Sequence, residues 1–336
     1  MMFPCSVRLT AFYMACNLSL SLSLPSVSLS SAVAYYSKSY FHPLYGHIID
    51  WRRNKEAVAP APSKHSSEEF ADSLIEVIER EKDDPLFMML TLTAPHSPLQ
   101  AEDRHLAECG HVKTVRRRAF CALMMSADEA VGRVKKSLQD TGKWDDTIVF
   151  FVNDNGGNVW EGGRNYPFRA GKQSSFEGGS RGTAFLKLPK SEGATPREYE
   201  GLAHISDVMP TVLGIVDRLS GSEAKEATNN GSAELGNGYD FSRPMLGLDE
   251  DNIREDVLMA YEPTTHKLGY RYKDWKIVAG NIGDNRRFLE PTSEGQWIGS
   301  GFHDMVAELM MVVNHGLDED ASGTFDEMVR ETFAQM

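Results

Sequence analysis

Cysteine is scarce in this chain, at 4 of 336 residues, and Cys5, Cys16, Cys109 and Cys121 include no Cys-x-x-Cys pair. That excludes a thiolate metal site of the usual spacing and a densely cross-linked scaffold. Positive charge is also in deficit. Against 48 Asp and Glu stand 35 Lys and Arg, for a net charge of −13, which argues against nucleic acid as the main partner but leaves room for a local cationic pocket. There is no internal repeat and no phosphate-cradling loop: Gly171-Lys172 is followed by Gln173, and Tyr166 stands where that motif needs its first glycine. What remains is an ordinary globular composition, 41% apolar and 25% charged, long enough for one large domain with a smaller one.

Residues 9 to 37 carry no charged side chain, Arg8 precedes them, and Ala32-Val33-Ala34 resembles a small-residue cleavage site. The segment reads as a secretory signal, with a non-native start as the alternative. Leu and Ser alternate from Leu18 to Leu24, and so many hydroxyls suit a membrane span poorly. No other stretch is apolar enough to cross a bilayer. With the leader removed only Cys109 and Cys121 could pair, buried free thiols being the alternative. Asn230-Gly231-Ser232 is a glycosylation sequon in a polar loop.

Ser66 and Glu69 form a capping box that starts a helix with Phe70, Leu74, Ile75 and Ile78 on one face. Asp83-Asp84-Pro85 breaks it, and Leu86 to Thr93 follows as a strand covered on both faces, ending at Ala94-Pro95-His96-Ser97-Pro98. A second helix is predicted from about Thr114 to Gln139, with Phe120, Leu123, Met124, Ala127, Val131, Val134 and Leu138 at helical spacing. Thr147 to Val152 is another buried strand, and a helix follows at Ile205 to Val216. The alternation implies an α/β domain with a largely parallel sheet. Residues 217 to 237 read as a surface loop, Leu268 to Val278 as an antiparallel hairpin, and the last 30 residues as a helix-bearing tail. The resulting division is a leader at 1–37, a main domain at 38–254 and a small subdomain at 255–336.

In parallel α/β sheets ligands bind beyond the carboxyl ends of the strands. His96 follows one predicted strand; Asp154 and Asn155 follow the other. The latter two offer hard oxygens suited to Ca²⁺ or Mg²⁺, and Gly156-Gly157 lets the backbone turn sharply; a plain turn is the alternative. Between Gly162 and Gly182 the glycine-rich chain carries Arg164, Arg169, Lys172 and Arg181, a composition able to shape a loop around an anion. A flexible basic surface loop is the other reading.

Five stretches, Thr93 to Gln100, Ser126 to Gly132, Thr147 to Gly157, Pro167 to Gly182 and His204 to Thr211, together resemble the sulfatase family, most closely its arylsulfatase B-like (N-acetylgalactosamine-4-sulfatase-like) branch. The resemblance covers about residues 40 to 290. It implies an alkaline-phosphatase-like fold, with a large mostly parallel sheet between helices and a small C-terminal antiparallel α+β subdomain. It also implies hydrolysis of sulfate esters of glycans or aryl compounds, with Ca²⁺ and a formylglycine made from Cys in Cys-x-Pro-Ser-Arg, in lysosomes or outside cells. By resemblance Asp154 and Asn155 are calcium ligands. His96 positions the sulfate and protonates the leaving oxygen, and Lys172 binds the sulfate and stabilises the leaving group. Arg181 and Glu177 are read as loop-bracing residues.

Three family elements are missing: an Asp-Asp pair ending an N-terminal strand, a Gly-Lys-Trp-His-Leu-Gly motif, and Cys-x-Pro-Ser-Arg. Ser23-Leu24-Pro25-Ser26-Val27 resembles a serine version of the last, with Val27 in place of Arg. The expectation is therefore a truncated sulfatase, inactive as given and lacking a central strand. A sulfated-glycan-binding pseudoenzyme, and a phosphatase or phosphodiesterase of the same superfold, are the alternatives.

Overall fold

The computed structural model describes residues 10–15, 51–54, 56–57, 64–193, 196–220, 238–248, 253–262, 264, 267–279 and 311–314. The predicted sequon and most of the 217–237 loop lie outside these.

The strands are β1 (Thr10–Ala15), β2 (Arg52–Arg53), β3 (Glu56–Ala57), β4 (Phe87–Leu90), β5 (Thr147–Val152), β6 (Ala184–Lys187), β7 (Asp256–Glu262), β8 (Lys267–Tyr272), β9 (Trp275–Ala279) and β10 (Met311–Asn314). The helices are α1 (Ser66–Arg80), α2 (Asp103–Glu108), α3 (Val115–Asp140), α4 (Glu177–Ser180), α5 (Val208–Ser220) and α6 (Ser242–Met245).

The main sheet has the order β4-β1-β5-β6. β1 runs parallel to both neighbours, Met14 opposite Leu90 on one side and Phe151 on the other; β6 is antiparallel to β5. The segment read as a leader thus supplies the middle strand, the place the sequence reading left vacant. Among the described residues the short β2 and β3 pair only with each other.

Helices α1 and α3 cover one face of this sheet. Their inward residues Phe70, Leu74, Ile78, Leu123, Val134 and Leu138 join Met88, Leu90 and Val149 in one core, and Trp51 stacks on Phe70 with ring centroids 5.0 Å apart. Met124, expected on the inner face of α3, is instead exposed. The cap of α1 is His65 rather than Ser66. The His65 Nδ1 accepts the Ser67 N–H at 3.3 Å, while the Ser66 hydroxyl meets Thr93 Oγ1 at 3.0 Å. α3 ends where Gly142 adopts φ 73°, and the Lys143 N–H closes back on the Leu138 carbonyl at 2.8 Å, the glycine-dependent stop of a helix. A disulfide joins Cys109, in the turn after α2, to Cys121 in α3.

The second sheet has the antiparallel order β10-β9-β8-β7. β8 and β9 form the expected hairpin through Lys273-Asp274, with Lys273 at φ 51°. Met311–Asn314, within the tail read as helix-bearing, is its edge strand. The hairpin is covered on both faces. Leu268, Tyr270 and Ile277 form a small core on one side. On the other, Val278 packs with Ala170 and Phe176 of the glycine-rich loop.

Candidate functional site

The site grows from the carboxyl end of β5. The strand's apolar run stops at Val152, and Asn153 stays in register by donating to the Thr183 carbonyl at 3.0 Å. Asp154 Oδ1 accepts the Asn155 N–H at 2.8 Å, and Asn155 Nδ2 donates to the Gly156 carbonyl at 2.8 Å. The Gly156 N–H then reaches the Gly179 carbonyl at 2.9 Å. A Cβ on Gly156 would land on the Gly178 carbonyl oxygen, so this turn requires glycine for the two backbones to meet.

One side chain ties the second half of the site to the first. Asn165 accepts the Gly157 N–H through Oδ1 at 2.8 Å, and its Nδ2 donates to the carbonyls of Gly157 and Ala170 at 2.9 and 3.0 Å. The Lys172 N–H completes the junction by donating to the Gly157 carbonyl at 3.2 Å. Lys172 is therefore seated beside the turn that follows Asp154 and Asn155. Asn165 was not singled out from sequence; an amide within a glycine-rich run is its only signal there.

His96 lies beyond the carboxyl end of β4. Since β4 and β5 run parallel on either side of β1, His96 and Asp154 follow strands that end on the same side of the sheet. The His96 N–H donates to the Thr93 carbonyl at 2.9 Å. Its Nδ1 meets the Ser97 carbonyl at 2.7 Å; a carbonyl only accepts, so Nδ1 carries the proton.

Two of the loop's arginines stack on its own aromatic rings. Arg169 stacks over Phe176 at 4.1 Å and Arg181 over Phe168 at 4.8 Å, bracing the loop from within. Arg164 stands near Arg117, whose pKa is lowered by burial first and by Arg164 second. Arg117 in turn donates to the Gly162 carbonyl at 2.6 Å, fastening the loop to α3.

Asp154 and Asn155 have the hard oxygens that suit Ca²⁺, but they are two where six to eight are needed. Among the described residues no group of three or more His, Cys, Asp or Glu could hold a metal ion. The donor chemistry fits; the donor number does not make a complete site.

The fold, a mixed sheet flanked by helices with an antiparallel sheet in the C-terminal part, is of the alkaline-phosphatase-like class. Ps i-CgsB, solved in complex with k-i-k-neocarrahexaose, superimposes with a TM-score of 0.67 at 17% identity, over 98% of this chain and 72% of that one. PsFucS1 sulfatase from Pseudoalteromonas sp. gives 0.59 at 16% identity, over 98% and 71%. Residues 26–217 match the sulfatase family, and the chain belongs to it. Mouse arylsulfatase J is 34% identical over 220 residues, 59% of this chain and 34% of that protein. Human N-acetylgalactosamine-6-sulfatase is 30% identical over 190 residues, 55% of this chain and 34% of that protein. The chain thus spans about a third of the length of these curated relatives.

Proposed function

We propose that the chain carries the sulfate-holding part of a sulfatase of the arylsulfatase B-like kind, and that its substrates are sulfate esters of glycans or aryl alcohols. The observation that supports this reading is the seating of the Lys172 backbone on Gly157, which brings that residue next to the Asp154–Asn155 turn in a chain of this family. Lys172 would hold sulfate oxygens and steady the leaving oxygen as charge develops on it. His96 would protonate that oxygen. Asp154 and Asn155 are proposed as two oxygen ligands of a Ca²⁺ whose other ligands come from outside the described residues.

The sequence contains no Cys-x-Pro-Ser-Arg, so no formylglycine nucleophile can form, and without one there is no covalent step. The chain alone therefore binds sulfate esters without turning them over. The Cys109–Cys121 disulfide supports an oxidising compartment, extracellular or within the secretory pathway.

The test pairs turnover of 4-methylumbelliferyl sulfate with calorimetric binding of 4-nitrocatechol sulfate. The expected result is no turnover, with saturable binding weakened about tenfold by Lys172→Ala. Turnover that disappears in His96→Ala would overturn the non-catalytic reading, and absence of binding would overturn the site.

A further inference from the structure

Lys276 is a charged side chain in an unexpected place. It sits mid-strand in β9 with its side chain 1% exposed, donating from Nζ to Glu177 Oε1 at 2.7 Å and to Ser180 Oγ at 3.1 Å. Arg271 Nη1 stands 3.4 Å from Glu177 Oε2, and Arg181 Nη1 stands 3.9 Å from it. Burial holds the Lys276 pKa down, opposed by Glu177. Replacing such a buried pair with apolar groups is often neutral or stabilising, so stability alone explains it poorly; fixing one geometry is the better-attested use.

The geometry it fixes can be traced. Lys276 pairs with Arg271 across the hairpin, and Val278 with Gly269. These four share the sheet face that meets the glycine-rich loop: Val278 packs on Ala170 and Phe176, and Gly269 lies against Ser175. Glu177 opens α4, directly before Gly178 and Gly179. The Gly178 N–H donates to the Arg169 carbonyl at 2.8 Å, and the Gly179 carbonyl accepts from Gly156 at 2.9 Å. An unbroken path therefore runs from Lys276 through Glu177 to the turn bearing Asn155 on one side and to the strap bearing Lys172 on the other.

We infer that Glu177 and Lys276 are positioning residues: their buried ion pair, planted on the C-terminal sheet, clamps the 169–180 loop so that Lys172 and the Asp154–Asn155 turn keep their spacing. The clamp's purpose, though not its mechanics, rests on the sulfate reading above.

The experiment measures backbone amide exchange in the full chain with Lys276→Met. Gly156, Lys172 and Gly178 report on the loop, and Leu123 and Val134 in α3 serve as reference. The expected result is exchange about tenfold faster at the three loop amides, with the α3 amides unchanged. Equal acceleration in both sets overturns the inference, because the pair would then be a general stabiliser; acceleration in neither overturns it too. Should Lys276→Met fail to fold, Glu177→Gln is read by the same rule. A second arm titrates 4-nitrocatechol sulfate into the parent, Lys172→Ala and Lys276→Met. Weaker binding in Lys172→Ala but not in Lys276→Met overturns the inference. No binding by the parent, or no effect of Lys172→Ala, sinks the sulfate reading instead, and the exchange arm still decides the clamp.

Discussion

Two buried ion pairs tie the C-terminal sheet and the segment leading into it to the rest of the molecule, and they are built differently. At the first, Arg254 grips Asp207 with two nitrogens, Nε at 2.9 Å from Oδ2 and Nη2 at 2.5 Å from Oδ1. The same carboxylate accepts the backbone N–H groups of His204 at 2.6 Å and Tyr239 at 2.9 Å. Four nitrogen donors thus converge on one acid at the start of α5. At the second, Glu177 meets one lysine squarely and two arginines at longer range, and it sits in a loop of glycines. The first junction is a saturated knot whose loss should be felt throughout the fold. The second holds a mobile type of backbone to one shape, so its loss should be felt locally.

The hardest blow to that contrast comes from Asp207→Ala. It leaves Arg254, 9% exposed, without its carboxylate and orphans two backbone donors, and should cost about 3–5 kcal/mol in urea unfolding. A cost below about 1 kcal/mol would show that the knot is not saturated in solution. Gly156→Ala acts on the second junction by forcing the Asn155 turn away from Gly178. It should cost about 1–3 kcal/mol and abolish 4-nitrocatechol sulfate binding; retained binding would mean the close backbone approach is dispensable. The smallest effect is a pH slope at the first junction. Burial, then Arg254, lowers the His204 pKa below its ordinary 6.5, with Asp207 opposing. The unfolded chain therefore takes the proton first. Its contribution is complete above about pH 6.5 and is lost as pH falls through that value toward the lower folded pKa. His204→Asn, which keeps a capping acceptor, should flatten that slope, and an unchanged slope would assign it to other groups.

Much of this architecture was legible in the sequence where its cause is local. The apolar run Thr147–Val152 and the helical spacing of α3 are properties of neighbouring residues, and both elements lie within a residue or so of expectation. β1 was not legible. A charge-free, serine-rich segment looks like a signal when read alone, and only pairing with strands some 75 and 135 positions away makes it a strand. β6 was missed because it is short and partly exposed, with Phe185 on the surface stacked against Phe151 at 4.8 Å. At the site, Asp154, Asn155, Lys172 and His96 stood out from strand ends and family resemblance. Lys276 did not, because a lysine in an alternating strand reads as solvent-facing until a distant loop covers it.

The central claim is that Lys172 and Asn155, joined through Gly157, act on one bound sulfate. A double-mutant cycle on 4-nitrocatechol sulfate binding, with Lys172→Ala, Asn155→Ala and the pair, tests it most directly. The account predicts a coupling energy of about 0.5–3 kcal/mol between the two positions; strictly additive losses, or single variants that bind as well as the parent, would contradict it.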